Sequence, residues 1–234
     1  MSKLWINKYL AQEGYTTRRG ADDLVKARKV FINGRVAVST DQVKPGDVVE
    51  VKGGVKTSYR YYAYHKPRGV ITSSPLEGLF PLGRLDKDSH GLLLITDDGR
   101  VTDRLLNPDY EHEKEYEVKV NIPLKPSFKD KMERGVNIEG YTTRPAKVRV
   151  VGPKTFRIIL SEGKKHQIRR MCVALKYEVV DLKRVRVMNI KLDKLAPGGH
   201  RLIKGEELKT FLSSLGLWFI VIWLSQFYFY LTRS

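Results

Sequence analysis

The sequence predicts an α+β protein with two folded units and a C-terminal tail. Amphipathic helical stretches and alternating strand stretches follow one another without the regular repeat of a parallel α/β fold, which favours a mixed or antiparallel sheet. In addition, Asn33-Gly34 is flanked by alternating apolar residues. This pair indicates a tight hairpin, because both turn positions need positive φ. The fold class is therefore a small αα-β unit followed by a larger unit built on a mixed or antiparallel sheet.

The small unit is predicted over residues 1–58. Apolar residues at helical spacing predict a helix within residues 4–14, and Thr16-Thr17 can cap a second helix, RRGADDLVKA. The hairpin and a further strand after Pro45-Gly46 complete the unit, and a glycine-containing linker follows it.

The larger unit is predicted over residues 59–208. It starts at YYAYHKPRGVITS, and its strands are expected in the apolar run Leu92-Leu93-Leu94-Ile95, in KEYEVKV and VVDLKRVRVMNIKL, and over residues 143–150 and 155–160. Two helices are expected, a short one in RVTDRLLNP that ends at proline and a second in HQIRRMCVALKY.

The tail is predicted over residues 209–234. Positions 210–232 carry no charged residue, a length nearly adequate for a membrane helix. Ser225, Gln226 and four consecutive Tyr or Phe residues make the segment a poor span. Two interpretations stay open: a C-terminal membrane anchor, and a tail added outside the folded unit. The second is favoured, so no membrane association is expected.

The charge balance points to nucleic acid. The 234 residues carry a formal net charge of +17, and an excess of this size favours a polyanionic partner over a merely solvated basic surface. Cys172 is the only cysteine, which excludes an intrachain disulfide and a thiolate zinc cluster and fits a reducing cytoplasm. The N-terminal MSKLWINKYL lacks the features of a signal peptide. We find no phosphate-cradling glycine loop, no G-x-S-x-G and no metal-ligand spacing, so no metal is expected.

Three local features could carry chemistry. In PLGRLDKDSHGLLLITDDG, Asp86 and Asp88 precede an apolar strand, where a turn is the simpler interpretation. In EGKKHQIRRM, basic groups surround a helix start, which opposes the helix dipole unless an anion binds there; a solvated basic face is the alternative. Tyr116 alternates with Val118 and Val120, which places the three side chains on one face of a strand. Two interpretations stay open for Tyr116: a core tyrosine, and a ring that stacks on a flipped base.

Together these segments resemble a known family. GRLDKDSHGLLLITDDG, KEYEV and EGKKHQIRRM, in this order and with HKPRGVITS, are similar to the signature segments of the ribosomal RNA pseudouridine synthases of the RsuA/RluB/RluE/RluF type. The N-terminal NKYLAQEGYTTRRGADDLV and VFINGRV resemble the S4-like RNA-binding domain that these enzymes carry. The resemblance covers residues 3–208, and HEKEYEV and RVRVMNI are most similar to the RluF-type branch, which modifies 23S rRNA.

The resemblance implies an isomerase that needs no cofactor. It detaches uracil from C1′ of a uridine, rotates it and rejoins it through C5. By this resemblance Asp86 is the catalytic aspartate, Arg84 helps displace the target base, Tyr116 stacks on it, and Arg169 is the basic partner of the aspartate. A carboxylate can stabilise or trap the positive character at C1′, as in glycosidases, and a guanidinium would keep it ionised.

The same resemblance, with the basic composition, implies the partners. Ribosomal RNA is expected, 23S above all and transfer RNA as a second candidate, bound by a monomer in the cytoplasm. Arg170 is expected to face solvent or RNA. The expected RNA contacts are Lys8, Arg18, Arg19, Lys66, Arg68, Lys164, Lys165, His166 and Arg170. A non-catalytic ribosome-associated RNA binder is the alternative function.

The chain departs from the family pattern at several positions. The usual S-R-R-E is Thr17-Arg18-Arg19-Gly20, Arg28 replaces a glycine before the hairpin, and His65 stands where asparagine is usual. The segment between the KPRG and GRLD motifs is short, PGGHRLIKGEEL is an altered version of the family's C-terminal end, and the tail has no counterpart.

Overall fold

The computed structural model describes residues 3–13, 15–53 and 59–217, with the backbone alone for Arg19. The described residues form two compact units. One comprises the described parts of residues 1–60, 97–104 and 212–234, and the other comprises residues 61–96 and 105–211. The predicted linker, from residue 54, and the apolar tail, from residue 218, lie outside the described residues.

The first unit begins with two helices and continues as short strands. Its elements are β1 (Leu4–Trp5), α1 (Ile6–Gln12), α2 (Arg18–Lys26), β2 (Val30–Ile32), β3 (Arg35–Val36), β4 (Gln42–Val43) and β5 (Val49–Val51). Strands β3, β2 and β5 form one antiparallel sheet, and β1 pairs with β4. The apolar faces of both helices meet this sheet in a core that contains Ile6, Leu10, Ala21 and Val25. The predicted helix pair and hairpin are confirmed.

Both ends of α2 are fixed by local hydrogen bonds. The Thr17 hydroxyl accepts from the backbone N–H of Gly20 at 3.0 Å, which is the N-cap arrangement the sequence predicts. At the other end, the N–H groups of Arg28 and Lys29 donate to the carbonyls of Val25 and Leu24. This is a Schellman ending, and it places Arg28 at φ +57°. The position where the family usually has glycine therefore has the left-handed conformation that favours glycine.

The rest of the chain is built on a nine-stranded sheet. Its elements are β6 (Tyr61–Lys66), β7 (Phe80–Leu82), β8 (His90–Thr96), α3 (Arg100–Leu106), a 3-10 turn (Pro108–Tyr110), β9 (Lys114–Val120), α4 (Phe128–Glu133), β10 (Asn137–Ile138), β11 (Tyr141–Thr142), β12 (Lys147–Gly152), β13 (Thr155–Leu160), α5 (Gln167–Ala174), β14 (Val179–Val187), β15 (Ile190–Lys191), β16 (His200–Leu202) and α6 (Gly205–Ser214).

The sheet runs in the order β12-β13-β9-β14-β8-β6-β16, with β15 on β14 and β7 on β8. Strands β14 and β8 are parallel, whereas the other pairs are antiparallel, so the predicted α+β class with a mixed sheet is confirmed. The main core lies where Val118 and Val120 of β9 pack with Phe128 and Met132 of α4 and with Ile168 of α5. Helix α4 and the β10–β11 hairpin were not predicted.

The parallel strands approach each other closely at Gly91. A Cβ atom at this position would lie 2.3 Å from the carbonyl oxygen of Arg184 and 2.7 Å from its nitrogen. Gly91 also has φ +104°, a conformation that L side chains rarely adopt. Glycine is therefore required here, and it allows Arg184 to reach the start of β8.

The folded part of the chain extends beyond the predicted boundary at Lys209, which falls inside α6. Phe211 is fully buried and its ring meets that of Tyr61 edge-on, with the centroids 6.2 Å apart. Leu215 and Leu217 are also buried, and Arg104 donates to the carbonyl of Leu215 at 2.9 Å. Within the described ranges, no helix is both long and apolar enough to cross a bilayer.

Candidate active site

The loop that carries Asp86 is held by its own backbone and by Thr72. The Thr72 hydroxyl donates to the carbonyl of Leu85 at 2.7 Å and accepts from its N–H at 3.0 Å. One residue later, the carbonyl of Asp86 accepts from the N–H of Ser89 at 3.0 Å. Leu85 and Ser89 are buried, so the loop is anchored on both sides of Asp86 while the carboxylate of Asp86 stays partly open to solvent.

Lys66 lies inside the protein beneath this loop. Its side chain is 1% exposed, and the ammonium donates to the carbonyls of Pro67 (2.9 Å), Val70 (2.5 Å) and Lys87 (3.4 Å). Burial lowers the pKa of Lys66, and the charges of Asp86 and Asp88 oppose that effect. The expected contact of Lys66 with RNA is therefore replaced by an internal role, in which it ties together two loops and places a positive charge near Asp86.

A cavity of about 610 Å³ brings most of the predicted catalytic residues together. Asp86 and Tyr116 line it, and the basic residues around it come from the loop before β8 and from the start of α5. These basic residues are Arg84, Lys164, Lys165 and His166. All four are exposed, which fits groups that meet a polyanion.

The basic side chain that contacts the carboxylate of Asp86 differs from the one expected. Nε2 of His166 lies 3.4 Å from Oδ1 of Asp86, and the Asp86 side chain is 41% exposed. Among the described residues, no ion pair joins Arg169 to Asp86. Instead Arg169 donates to the hydroxyl of Ser89 at 3.3 Å and to the carbonyl of Val179 at 3.3 Å. Arg169 thus reaches the Asp86 loop through Ser89, because its position on α5 directs the guanidinium to the end of that loop.

Tyr116 lies where the core ends and the cavity begins. On β9 it shares a face with the buried Val118, as its alternation predicts, and it is half-buried itself. Its cross-strand partners are Ile158 on β13 and Arg184 on β14. One side of the ring is therefore packed, and a base could stack on the side that faces the cavity.

The basic segment before α5 is organised by a buried acid. Glu162 is 4% exposed and accepts from the hydroxyl of Tyr141 (2.6 Å), the N–H of Arg144 (3.0 Å) and the amide of Gln167 (2.5 Å). The ammonium of Lys164 lies 4.6 Å from the centroid of the Tyr141 ring. These contacts fix the segment from Glu162 to Gln167 along one wall of the cavity.

Arg170, expected to face solvent or RNA, is partly exposed and is held by hydrogen bonds within the protein. Its guanidinium donates to the carbonyl of Ile138 at 3.0 Å and to the carboxylate of Glu139 at 2.7 Å, both in the β10–β11 hairpin. Arg170 therefore has a structural role in the described part of the chain.

Arg68 is exposed, and its guanidinium lies 3.5 Å from the carboxylate of Asp181.

The remaining predicted RNA contacts lie in the first unit. Lys8 is partly exposed on α1, and Arg18 is exposed at the first position of α2. The side chain of Arg19 lies outside the described residues.

Sequence reasoning missed two cations that line the same cavity, Lys114 and Arg184. Lys114 precedes Tyr116 by two residues on β9, so alternation places both on one face. Arg184 stands two residues after Leu182 on β14, and both are buried. The alternation in KEYEVKV could have indicated Lys114, because a basic residue in the inward phase of a strand is unusual. On β14 the register shifts between Arg184 and Arg186, so alternation alone does not distinguish these two arginines.

Within the described residues, no group of three or more His, Cys, Asp or Glu side chains could hold a metal ion. Cys172 is buried, and burial raises the pKa of its thiol to about 12, so it has the character of an inert core cysteine.

Comparison with known proteins identifies relatives of both units. A sequence profile described as RNA pseudouridylate synthase matches residues 74–174, and the S4 domain profile matches residues 4–49. The chain is 38% identical over 225 residues to the dual-specificity RNA pseudouridine synthase RluF of Escherichia coli strain K12, an alignment that covers 88% of this chain and 78% of that protein. It is 34% identical over 230 residues to ribosomal large subunit pseudouridine synthase B of Bacillus subtilis strain 168, covering 87% and 93%.

Among solved structures, a crystal structure of pseudouridylate synthase is 28% identical and superposes with a TM-score of 0.66. The match covers 91% of this chain and 99% of that one.

Proposed function

We propose that the chain converts uridine to pseudouridine in ribosomal RNA. The chain belongs to the RNA pseudouridine synthase family and is therefore an isomerase. Large-subunit RNA is the proposed substrate, since one relative is named for the large ribosomal subunit and the sequence resembles the RluF-type branch. The net charge of +17 supports a nucleic-acid partner, and the lone buried Cys172 fits a cytoplasmic monomer.

The observation that carries the proposal is the position of Asp86. Its carboxylate lies at the edge of a cavity large enough for a nucleoside, with the Tyr116 ring on the cavity wall and basic residues around it. Cleavage of the glycosidic bond gives C1′ positive character, which an adjacent carboxylate stabilises or traps. The imidazole of His166 lies 3.4 Å from this carboxylate, and the buried ammonium of Lys66 lies beneath the same loop, where it donates to the carbonyl of Lys87.

The cavity offers little help to water, which would hydrolyse the nucleotide instead of isomerising it. The other acid that lines it is Glu162. Because three donors already occupy its carboxylate, Glu162 is poorly placed to act as a general base toward water. This arrangement suits an enzyme that must keep the detached base and the sugar together.

The other residues are assigned supporting roles. Tyr116 stacks on the flipped uracil, and Arg84 at the rim assists displacement of the base from the RNA. Arg169 positions the Asp86 loop through Ser89. Arg68, Lys164, Lys165 and His166 contact phosphates near the target. Lys8, Arg18 and Arg19 of the first unit bind RNA at a distance from it.

A tritium-release assay tests the proposal. Ribosomal RNA labelled at uridine C5 releases tritium when C5 becomes the glycosidic carbon. We expect the wild-type protein to release label and Asp86→Asn to fall below about a thousandth of that rate, as for loss of a group that acts only in the transition state. Asp88→Asn is the matched control, because Asp88 is exposed in the same loop and does not line the cavity. Equal release by wild type and Asp86→Asn would reject the assignment.

A further inference from the structure

Two cations, one buried and one partly buried, lie on the floor of the cavity without an acidic partner among the described residues. Lys114 on β9 and Arg184 on β14 both line it, and in the described part of the chain neither makes an ion pair with a carboxylate. Asp86 is at the open edge of the same cavity, and the carboxylate of Glu162 is occupied by its own three donors. The floor of the cavity is therefore positive.

Arg184 is 4% exposed and is anchored through backbone carbonyls. Its Nε donates to the carbonyl of Leu92 at 2.7 Å, and one terminal nitrogen lies 3.5 Å from the carbonyl of Arg84, two residues before Asp86. A guanidinium has five N–H donors. Among the described residues, no acceptor lies within hydrogen-bonding distance of the remaining donors of Arg184, so they are available to a ligand in the cavity.

Lys114 is mostly buried and lies on the same face of the sheet. Its ammonium donates to the carbonyl of His112 at 3.1 Å, which uses one of its three donors. Burial, with a smaller contribution from the charge of Arg184, lowers the pKa of Lys114 to about 8. Tyr116 lies between the two cations in the sheet, because it follows Lys114 by two residues and pairs with Arg184 across the strands.

Buried cations without a counter-charge are costly, and such groups are concentrated at functional sites. The reaction itself supplies a fitting anion. When the C1′–N1 bond breaks, its electron pair goes to N1, and the negative charge spreads over the uracil ring to O2 and O4. A ring that stacks on Tyr116 would present these oxygens toward the cavity floor.

We propose that Lys114 and Arg184 bind the carbonyl oxygens of the flipped uracil and stabilise the uracil anion formed when the C1′–N1 bond breaks. This inference rests on the proposed function. The base then forms a bond from C5 to C1′ with an electron pair of its anion, C5 releases its proton to solvent, and N1 takes up a proton from solvent. Substrate and product therefore have the same composition, and no co-reactant is needed. Asp86 acts on the sugar, whereas Lys114 and Arg184 act on the base.

The experiment compares two leaving groups. An rRNA fragment carries either uridine or 5-fluorouridine at the target position, and cleavage of its C1′–N1 bond is followed under single-turnover conditions by loss of the starting nucleoside from nuclease digests. Fluorine withdraws electrons and stabilises the uracil anion without help from the protein. Lys114→Met removes the charge, Lys114→Arg retains it, and Lys119→Met is the matched control, an exposed lysine on the same strand.

We expect Lys114→Met to slow the uridine reaction by about 10²–10³-fold, the usual effect of losing one donor to a developing anion. The loss with 5-fluorouridine should be at least about tenfold smaller, Lys114→Arg should recover part of the rate, and the RNA dissociation constant should stay unchanged. A structural defect would slow both substrates equally. Arg184→Met should show the same dependence on the leaving group, after circular dichroism has confirmed its fold.

Four results would overturn the inference. Equal losses on the two substrates would assign Lys114 a structural role. Weaker RNA binding with an unchanged rate of bond cleavage would assign the cations to a phosphate of the substrate. A wild-type protein that cleaves neither substrate would overturn the proposed function and this inference with it, whereas an active wild type with an unaffected Lys114→Met overturns the inference alone.

Discussion

Replacing Lys114 by methionine should make the protein more stable, although it removes a residue proposed to act in catalysis. The pKa of Lys114 in the folded chain is about 8, whereas an ordinary lysine has 10.5. The difference, 10.5 − 8 = 2.5, at about 1.4 kcal/mol for each pKa unit, corresponds to about 3 kcal/mol. This is the free energy of unfolding that the wild type lacks at pH 7 because it must keep a buried ammonium protonated.

The net gain is smaller than this figure. Methionine cannot donate to the carbonyl of His112, a loss of about 1 kcal/mol. The aliphatic part of the side chain is nearly conserved, so packing changes little. We therefore expect Lys114→Met to raise the free energy of unfolding at pH 7 by about 2 kcal/mol, measured by urea denaturation with far-ultraviolet circular dichroism.

The pH dependence of the gain in stability shows whether the buried ammonium of Lys114 is its cause. Because the pKa of Lys114 is lower in the folded state than in the unfolded state, the unfolded chain binds more protons between pH 8 and 10.5. The contribution of Lys114 to stability therefore rises with pH through that window. The gain from Lys114→Met should shrink from pH 8 toward pH 10.5, and Lys119→Met, at an exposed lysine of the same strand, is measured beside it as the control. A destabilised Lys114→Met, or a gain independent of pH, would refute the reasoning.

Three further substitutions test other parts of the structure. Arg28→Gly should raise stability by about 0.5–1 kcal/mol in thermal unfolding, because φ +57° strains a non-glycine residue; a loss of stability would show that the arginine side chain makes a compensating contact. Lys66→Met should lower stability by about 2–4 kcal/mol, since it leaves buried carbonyls without their donor, and an unchanged urea midpoint would contradict this. Arg18→Ala should weaken rRNA binding and reduce the slope of log K against log salt by about 0.9 for a duplex contact, and an unchanged slope would mean that Arg18 does not touch a phosphate.

Local patterns predicted much of the fold. The helical spacing before Lys26, the Asn33-Gly34 turn and the alternation in KEYEVKV each depend on residues close in sequence, and the corresponding elements are confirmed. Helix α4 and the β10–β11 hairpin were missed because short elements depend on distant contacts. Phe128 of α4, for example, packs its ring edge-on against Phe156 of β13, with the ring centroids 4.8 Å apart.

The candidate site was harder to predict, because a sequence shows which charges are present but not where they point. Lys66 and Arg170 have the composition of RNA-binding residues, yet one is buried under a loop and the other is paired with Glu139. Likewise, whether Arg169 or His166 is nearest to Asp86 depends on the placement of α5 against a loop about 80 residues earlier in the chain. No local sequence pattern indicates how α5 is placed against that loop.

The distribution of charge in the cavity matches the polarity of the bond that the enzyme is proposed to break. Heterolysis of a glycosidic bond separates a positive sugar from a negative base, and a site that stabilised only one of them would leave the other unsupported. Here the carboxylate of Asp86 is at the open edge, where the sugar and its phosphates can stay near solvent. The cations Lys114, which is partly buried, and Arg184, which is buried, lie where the base must enter. Because desolvation strengthens the interaction of a buried cation with an anion and also lowers the stability of the free protein, activity and stability should change in opposite directions at Lys114.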